Sequence, residues 1–505
     1  MIYMLNRSKK LKLNIITSLL NQLTGIISGF ILPNFFLRYY GSAVNGLVTS
    51  ITQFLAVISL CECGVGAVVQ AALYKPIAEN DNAEISRIYK SSSRFFGKIS
   101  KLLIGYMIIL MIIFPLIINK EFSPLSTGLL IFAITVSMLA QYYFAITYKL
   151  ILNAAQLTYI QMSVGTVSTV LNIVLSVVLM KAGAGIQVVK LVSSAIFLIQ
   201  PLIYKKTVEK YFKIDKKIAL EGEPIKQKWN GLAQHVATVI LENTDVMILT
   251  VFSSLSNVSV YGVYHLVTNG IKLIFTTIAG NMKSLFGDML ARNEKSLLDK
   301  TFSRFEWLMH SVVTFTYSCA GVLIVPFVRV YTRHIKDTSI YNLPLFGFLM
   351  CFAMLIYTIR LPYSQLISAA GHFKQTQTSA VIEAVLNIVI SVLLVSKFGL
   401  IGVAIGTIIA MTYRTLYFVW YLSKNIVNRN IGIFLKLILS DAVMAVGIYF
   451  ATRSIKLGTL SYLSWLIMAL KVAAIAFVIA VFVSLVFSGK ELIKAIKEIR
   501  KNNNY

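Results

Sequence analysis

The chain has 505 residues, of which 57% are hydrophobic and only 13% are charged, and its formal net charge is +27. Soluble globular proteins do not have this balance, so soluble enzymes and soluble binding modules are excluded. Basic residues concentrate in short loops that alternate along the chain, which explains the positive charge by membrane topology. We therefore expect a membrane protein that has no nucleic-acid partner.

Fourteen apolar stretches, each about 20 residues long, match the thickness of a bilayer when they are helical. Lipid offers no hydrogen-bond partner to the backbone, so each stretch is predicted to be a helix. The fold class is thus all-α integral membrane protein. The predicted spans cover residues 14–37, 45–70, 99–118, 127–148, 159–180, 184–204, 231–252, 259–280, 307–329, 343–363, 376–396, 399–422, 433–452 and 462–487.

The loops between these spans differ in their content of Lys and Arg. With the N-terminus inside, roughly 33 basic residues lie on the inner side and roughly 9 on the outer side, which satisfies the positive-inside rule. The basic loop 205–230 is one of the inner segments. We therefore predict a multi-pass protein of the cell membrane with both termini in the cytoplasm.

The loops are too short to form a separate catalytic or nucleotide-binding domain. No Gly-rich phosphate loop, Ser-His-Asp arrangement or CxxC pair occurs, and the four cysteines all lie inside apolar stretches. A membrane glycosyltransferase or polymerase would need a sizeable external loop. We therefore expect a transporter with no catalytic residue, no metal and no bound cofactor.

The chain contains an internal repeat. The sequence LNIV at 171–174 recurs 215 positions later at 386–389, and the same offset aligns Tyr148 with Tyr363. Six helices per copy is an even number, which predicts two parallel lobes around a central cavity that opens alternately to each side. The predicted divisions are an N-terminal lobe at 1–204, a basic linker at 205–230, a C-terminal lobe at 231–422, and two additional helices with a basic tail at 423–505.

Charged residues inside the spans cost a few kcal/mol each at the bilayer centre, so they mark either helix pairing or a functional site. The candidate cations for an anion site are Arg38, Lys190, Lys272, Arg360 and Arg414. The candidate acids for ion coupling or helix pairing are Glu62, Glu242, Asp245 and Glu383. Asp441 is a further acid within a span, and we expect His310 to be packed or hydrogen-bonded.

Two pairs of glycines are spaced four residues apart inside predicted spans. They are Gly25 with Gly29 in the first helix, and Gly402 with Gly406 in the twelfth. This spacing lets two helix backbones approach closely. We expect close helix packing at both pairs.

Segments distributed over essentially the whole chain resemble bacterial polysaccharide-repeat-unit flippases. These flippases belong to the multidrug/oligosaccharidyl-lipid/polysaccharide exporter superfamily. The similar segments are PNFFLRYYG at 33–41 with VNGL at 44–47, CGVG at 63–66 with LYKP at 73–76, TD at 244–245 with YGVY at 261–264, and GLIGVA at 399–404.

The resemblance implies two six-helix lobes, a cationic cavity and two extra C-terminal helices. It also implies transfer of undecaprenyl-pyrophosphate-linked oligosaccharide from the inner to the outer leaflet, for the biosynthesis of lipopolysaccharide, capsule or another polysaccharide. A pyrophosphate needs Lys or Arg partners, which the candidate cations would provide. Candidate partners are membrane lipids, a polysaccharide polymerase and a chain-length regulator, and a proton or sodium gradient is a candidate energy source.

Two alternative functions stay open. One is a cation-coupled multidrug exporter of the same superfamily, whose site for cationic drugs should be acidic. The other is a membrane glycosyltransferase or polymerase, against which the short external loops argue.

The predicted orientation can be tested with a reporter that is active only in the cytoplasm. Fusions after Lys217 and after Tyr505 should be active, because both positions follow basic inner segments. A fusion near Lys336 should be inactive. Reporter activity at Lys336 would overturn the topology.

Overall fold

The structure is a computed structural model that describes residues 7–62, 65–117, 122–219, 232–335, 337 and 340–502. All regular structure in these residues is helical, which confirms the predicted fold class. Eleven helical segments of the described residues are long and apolar enough to cross a membrane. One of them, Lys12–Leu60, contains the first predicted span and most of the second. The chain is therefore a multi-pass membrane protein.

The helices fall into two compact units, Met1–Ser259 and Val260–Tyr505. Helices of unit 1 are α1 (Arg7–Ala56), α2 (Val65–Glu79), α3 (Asn82–Ile117), α4 (Pro124–Leu139), α5 (Ile146–Ala154), α6 (Thr158–Lys181), α7 (Ile186–Tyr211) and α8 (Leu232–Phe252). The helix α9 (Leu255–Ala291) begins in unit 1 and continues in unit 2. Unit 2 also contains α10 (Lys295–Tyr331), α11 (Pro344–Ile359), α12 (Leu361–Ala369), α13 (Phe373–Phe398), α14 (Leu400–Asn425), α15 (Gly432–Thr452) and α16 (Tyr462–Asn502).

The boundary between the compact units differs from the boundary that the repeat suggests. Helix α8 packs against α1 and is therefore part of unit 1. The sequence-based division placed residues 231–252 at the start of the second lobe. The division into two six-helix lobes around a central cavity stays a prediction.

The two predicted spans that are not among the eleven segments, 231–252 and 259–280, correspond to α8 and α9. Both are helical, as expected. They include Glu242, Asp245 and Lys272, so charged residues interrupt their apolar sequence.

Regular helical geometry is interrupted at several places in the structure. Gly41 has φ 81°, and it bends α1 between the first two predicted spans. A 3-10 turn at Val57–Glu62 then interrupts the predicted span 45–70. The predicted span 343–363 is divided at Arg360 into α11 and α12, two residues before Pro362, whose ring nitrogen cannot donate a helical hydrogen bond.

Another interruption is a π-helical turn at Ala140–Ala145, which lies inside the predicted span 127–148 and joins α4 to α5. Such turns are rare and often occur at functional sites. The sequence predicted a regular helix here, because a single turn of different pitch leaves no clear mark on an apolar stretch.

Local geometry agrees with the sequence repeat. Helices α6 and α13 begin at Thr158 and Phe373, which are 215 residues apart. The residues that precede them, Gln156 and Gly371, have the same offset and both have positive φ, at 59° and 73°. The repeat therefore extends to the turns that connect its helices.

Close helix packing occurs at one of the two predicted glycine pairs. A Cβ added to Gly402 would lie 2.5 Å from the carbonyl oxygen of Leu394, and one added to Gly406 would overlap the hydroxyl of Ser391. These contacts join α13 to α14. In contrast, a Cβ added to Gly25 has no neighbour within 4 Å, so the prediction was wrong for that glycine.

The second half of α1 packs tightly against the α8–α9 region of unit 1. Asn45 donates to the hydroxyl of Ser259 over 2.8 Å, and Ser50 and Thr250 share a hydrogen bond of 2.7 Å. Between these polar contacts, Gly46 faces the backbone of Leu255 so closely that an added Cβ would overlap its carbonyl group. Only glycine fits at position 46.

This packing predicts different effects for two Gly→Ala substitutions in the same helix. Gly46→Ala should destabilise the protein by about 1–3 kcal/mol or more, because the clash is with backbone. Gly25→Ala should change the free energy of unfolding by no more than about 1 kcal/mol, since alanine is the better helix former. Denaturant unfolding in detergent measures both, and equal stability of the two variants would contradict the packing.

Candidate functional site

The interior of unit 2 contains an ion-paired triad. Arg360 lies at the break between α11 and α12, Glu383 on α13 and Arg414 on α14. Nη1 of Arg360 donates to Oε1 of Glu383 over 2.5 Å, and Nη1 of Arg414 donates to Oε2 of the same carboxylate over 2.5 Å. The three residues are only 5%, 1% and 4% exposed. The structure thus joins three sequence-predicted residues that come from separate helices.

The triad contains two cations and one carboxylate, so positive charge is in excess. Burying a charge is costly unless it is paired, and one carboxylate has to serve both guanidinium groups. Nε of Arg414 is buried and has no hydrogen-bond partner among the described residues. The aromatic ring of Phe418 lies 5.0 Å from the Arg414 guanidinium and offers a weaker, cation–π contact.

A third cation lies next to the triad. Nζ of Lys272, on α9, is 5.3 Å from the ring centre of Tyr357, and the guanidinium of Arg360 is 4.9 Å from the same ring. Lys272 is half-buried. We call Lys272, Tyr357, Arg360, Glu383 and Arg414 the Glu383 cluster.

The other two predicted cations lie in unit 1, and each contacts an aromatic ring of α1. Nζ of Lys190, on α7, is 4.6 Å from the ring centre of Phe36. Arg38 is exposed, and its guanidinium is 6.0 Å from the ring of Tyr39. The structure therefore brings three of the five candidate cations together within unit 2.

The remaining predicted acids differ in burial. Asp245 is 5% exposed, whereas Glu242, three residues earlier on α8, is exposed. The side chain of Glu62 lies outside the described residues. Among the described residues, no group of three or more His, Cys, Asp or Glu side chains is placed to hold a metal ion.

The Glu383 cluster has no charged counterpart at the matching positions of unit 1. By the repeat offset of 215, Arg360 corresponds to Ala145 and Glu383 to Ser168. In contrast, Asn387 and Asn172 match and are both buried. The repeat architecture is therefore compatible with an uncharged interior, and these charges occur in the second copy only.

A second buried polar network, which the sequence did not predict, connects α10, α12 and α15. His310 Nδ1 lies 2.6 Å from Oδ2 of Asp441, and His310 Nε2 lies 3.3 Å from the hydroxyl of Tyr363. Tyr363 donates to Glu306, and Arg429 donates to the same carboxylate oxygen. These contacts confirm that His310 is hydrogen-bonded. They also attach the first of the two additional C-terminal helices to the repeat.

Sequence reasoning missed this network because Glu306 and Arg429 border predicted spans. Glu306 immediately precedes the span 307–329, and Arg429 lies between the spans 399–422 and 433–452. At such positions charges are normally solvated. The exposed fraction of the Glu306 side chain is 1%, and its partners are 57 and 123 residues away in the chain.

The fold is similar to those of several solved transporters. The lipid II flippase MurJ, in an inward closed conformation, matches with a TM-score of 0.70 and 17% identity, over 95% of this chain and 99% of that chain. An inward-facing multidrug resistance MATE family transporter of the MOP superfamily matches at 0.50 and 13%, over 82% and 97%. The Vibrio cholerae MATE transporter VcmN in the bent form matches at 0.51 and 13%, over 86% and 98%.

These similarities define the fold as the one found in the flippase MurJ and in MATE transporters. At identities of 13–17% they describe the fold alone. No protein-family model matches the sequence, and no curated protein matches it.

The Glu383 cluster predicts a large stability effect for a small substitution. Glu383→Gln should lower the free energy of unfolding by about 3–5 kcal/mol, because it leaves two buried guanidinium groups without a counter-charge. The control Glu79→Gln removes an exposed partner of Lys75 and should cost at most about 1 kcal/mol. Denaturant unfolding in detergent measures both values.

A double variant separates the charge effect from a packing effect. Adding Arg360→Gln to Glu383→Gln removes one of the two stranded cations and should recover part of the lost stability. If the single variant is no less stable than the Glu79→Gln control, the buried ion pairs do not stabilise unit 2.

Proposed function

We propose that the protein is a flippase that moves an undecaprenyl-pyrophosphate-linked oligosaccharide from the inner to the outer leaflet of the bacterial cytoplasmic membrane. The observation that carries the proposal is the excess of positive charge in the Glu383 cluster. Arg360 and Arg414 share a single carboxylate on membrane-spanning helices, and Lys272 contacts the same aromatic ring as Arg360. An anion with two or more negative charges is the ligand that would balance this group.

A pyrophosphate suits the donors of the cluster. Guanidinium groups form paired hydrogen bonds with phosphate oxygens, and Arg414 has a buried Nε that no described residue uses. In the proposed mechanism, Glu383 holds both arginines in place, and the phosphate oxygens bind to the donors that Glu383 leaves available. Lys272 adds a third positive charge, while the isoprenoid tail remains in lipid.

The helix break at Arg360 offers a physical route from binding to movement. Arg360 lies between α11 and α12, and Pro362 weakens the helix at that point. We propose that binding of the pyrophosphate at Arg360 and Arg414 changes the angle between these helices, and that this change is one part of alternating access. Arg38 and Lys190 are proposed to contact the substrate from the first lobe.

The energy source in this proposal is a proton or sodium gradient, and no bound cofactor is assigned. The acids Glu62, Glu242, Asp245 and Glu383 are proposed for ion coupling or for helix pairing. For Glu383, the two ion pairs favour helix pairing. For Asp245, burial on α8 supports either role.

A cation-coupled multidrug exporter is the second candidate, and the similarity to MATE transporters favours it. A site for cationic drugs should be acidic, whereas the cations of the Glu383 cluster outnumber its one carboxylate. The larger TM-score with a flippase also supports the first candidate.

The flippase proposal predicts the phenotype of a deletion strain and of two variants. Loss of the protein should cause lipid-linked repeat units to accumulate in the inner leaflet. Arg360→Ala and Arg414→Ala should fail to restore export, because each removes a charge-assisted contact that is worth about 1.5–3 kcal/mol. The matched control Arg292→Ala removes an exposed arginine that follows α9 and pairs with Asp288, and it should restore export fully.

Membrane abundance is measured for every variant, so that loss of protein is distinguished from loss of transport. Altered drug tolerance without lipid accumulation would indicate the multidrug exporter. Exported but unpolymerised units would indicate a polymerase. Normal export with alanine at Arg38, Lys272, Arg360 and Arg414 would refute the anion site.

A further inference from the structure

Unit 1 contains a cavity of about 1240 Å³ that the Glu383 cluster does not involve. It lies between α3, the π-helical turn Ala140–Ala145 and α7, and it also includes a residue of the segment after α7. We call it the basic groove because five cations line it. They are Arg94, Lys98, Lys101, Lys205 and Lys216.

The cations converge from three parts of the chain. Arg94, Lys98 and Lys101 are separated by four and three residues, so they share one face of α3. Lys205 comes from α7, and Lys216 follows that helix. All five are exposed, and none of the lining residues in the described part of the chain is acidic.

Among the described residues, Glu209 provides a carboxylate beside the groove. Glu209 accepts a hydrogen bond of 2.8 Å from Lys216, and this bond raises the pKa of the Lys216 ammonium. Lys216 therefore stays charged at neutral pH. Within the described part of the chain, the five cations outnumber this carboxylate and form a positive surface that is complementary to an anion.

The other end of the groove is apolar. Phe144 is 52% exposed, and Leu198 and Leu202 of α7 are 36% and 67% exposed. Phe144 packs edge-on against Tyr143, and both rings come from the π-helical turn. The turn thus presents two consecutive aromatic side chains at the groove.

The boundary between the basic and apolar ends matches a membrane interface. After Lys101, α3 continues to Ile117 without a charged residue. Before Lys205, α7 has no charged residue back to Lys190. The basic end therefore lies where both spans leave the hydrocarbon layer, and the positive-inside rule assigns it to the cytoplasmic leaflet.

We propose that the basic groove binds an anionic glycerophospholipid of the cytoplasmic leaflet. The phosphate lies among Lys98, Lys101 and Lys205, and an acyl chain follows Phe144, Leu198 and Leu202. A soluble phosphate would leave the apolar end uncovered, whereas a phospholipid covers both ends. This site goes beyond the proposed transport function and does not depend on it.

The repeat indicates that the groove is specific to unit 1. The offset of 215 places Thr358 and Ile359 at the positions of Tyr143 and Phe144, and both are buried. At the position of Lys205, the second copy has Trp420. The groove is therefore not a general consequence of the repeated helices.

The binding site can be mapped on the unmodified protein in vesicles of zwitterionic lipid. The vesicles contain one of two probes, a phosphatidylglycerol or a phosphatidylcholine, and each probe carries a photoreactive acyl chain. Both probes are used at the same small fraction of the total lipid. Peptides that contain Phe144 or Leu202 should be labelled about tenfold more by the anionic probe, because the lysines attract its net negative charge, which the choline cation cancels in phosphatidylcholine. Equal labelling by the two probes would refute the proposal without any variant.

Charge-neutral variants test the assigned cations. The triple variant Lys98→Gln, Lys101→Gln and Lys205→Gln should lose the tenfold preference. The matched control Lys283→Gln, Lys300→Gln and Lys397→Gln changes three exposed lysines of unit 2 and should keep it. A preference that survives in the first triple variant would exclude these lysines as the phosphate site.

Competition identifies the source of the phosphate group. Unlabelled phosphatidylglycerol should displace the anionic probe, and soluble glycerol phosphate should not. A polyprenyl pyrophosphate at the same fraction should displace no more of the anionic probe than unlabelled phosphatidylglycerol does. If a tenth of that fraction of polyprenyl pyrophosphate displaces the probe, the groove recognises the pyrophosphate lipid and not a glycerophospholipid. If glycerol phosphate displaces the probe, the groove is a site for free phosphate.

Discussion

The carboxylate of Glu383 is the interaction on which unit 2 depends. It bonds Arg360 and Arg414 at the same time and so connects the α11–α12 break, α13 and α14. Each charge alone would be costly in a membrane-spanning helix, and together they are tolerable because they share hydrogen bonds. The close approach of α13 to α14 at Gly402 and Gly406 places the helices that provide Glu383 and Arg414 side by side.

Unit 1 is organised differently. Its interior is an extended cluster of aliphatic and aromatic side chains, and its notable polar contacts are hydroxyl pairs such as Tyr89 with Tyr148 at 2.9 Å. By the repeat, Tyr148 corresponds to Tyr363, whose hydroxyl instead meets the charged Glu306. Equivalent positions of the repeat thus support a neutral contact in one copy and an ionic network in the other. The two copies of the repeat therefore differ in the charge of their interiors.

The sequence predicted the helical fold, most spans and the residues of the triad, because charge inside an apolar stretch is conspicuous. It did not predict which charges meet, since Glu383 is 23 and 31 residues from its two partners and spacing says nothing about such contacts. Glu306 and Arg429 were missed because their positions at the ends of spans suggested solvent. Lys205 also lies at the end of a predicted span, so its charge was interpreted as a sign of membrane topology and not as part of a binding site. The π-helical turn and the break at Arg360 are local departures from a regular helix that hydropathy does not record.

Transport by the purified protein in sealed vesicles tests directly whether the protein moves a lipid by recognising its pyrophosphate. A fluorescent oligosaccharide linked to a polyprenyl pyrophosphate is placed in one leaflet, and its appearance in the other is followed with a membrane-impermeant quencher. Movement should require the pyrophosphate, so that an analogue without phosphate moves at least about tenfold more slowly, in line with the loss of one charge-assisted contact. Equal movement of both lipids, or movement of a cationic dye but of neither lipid, would contradict this requirement.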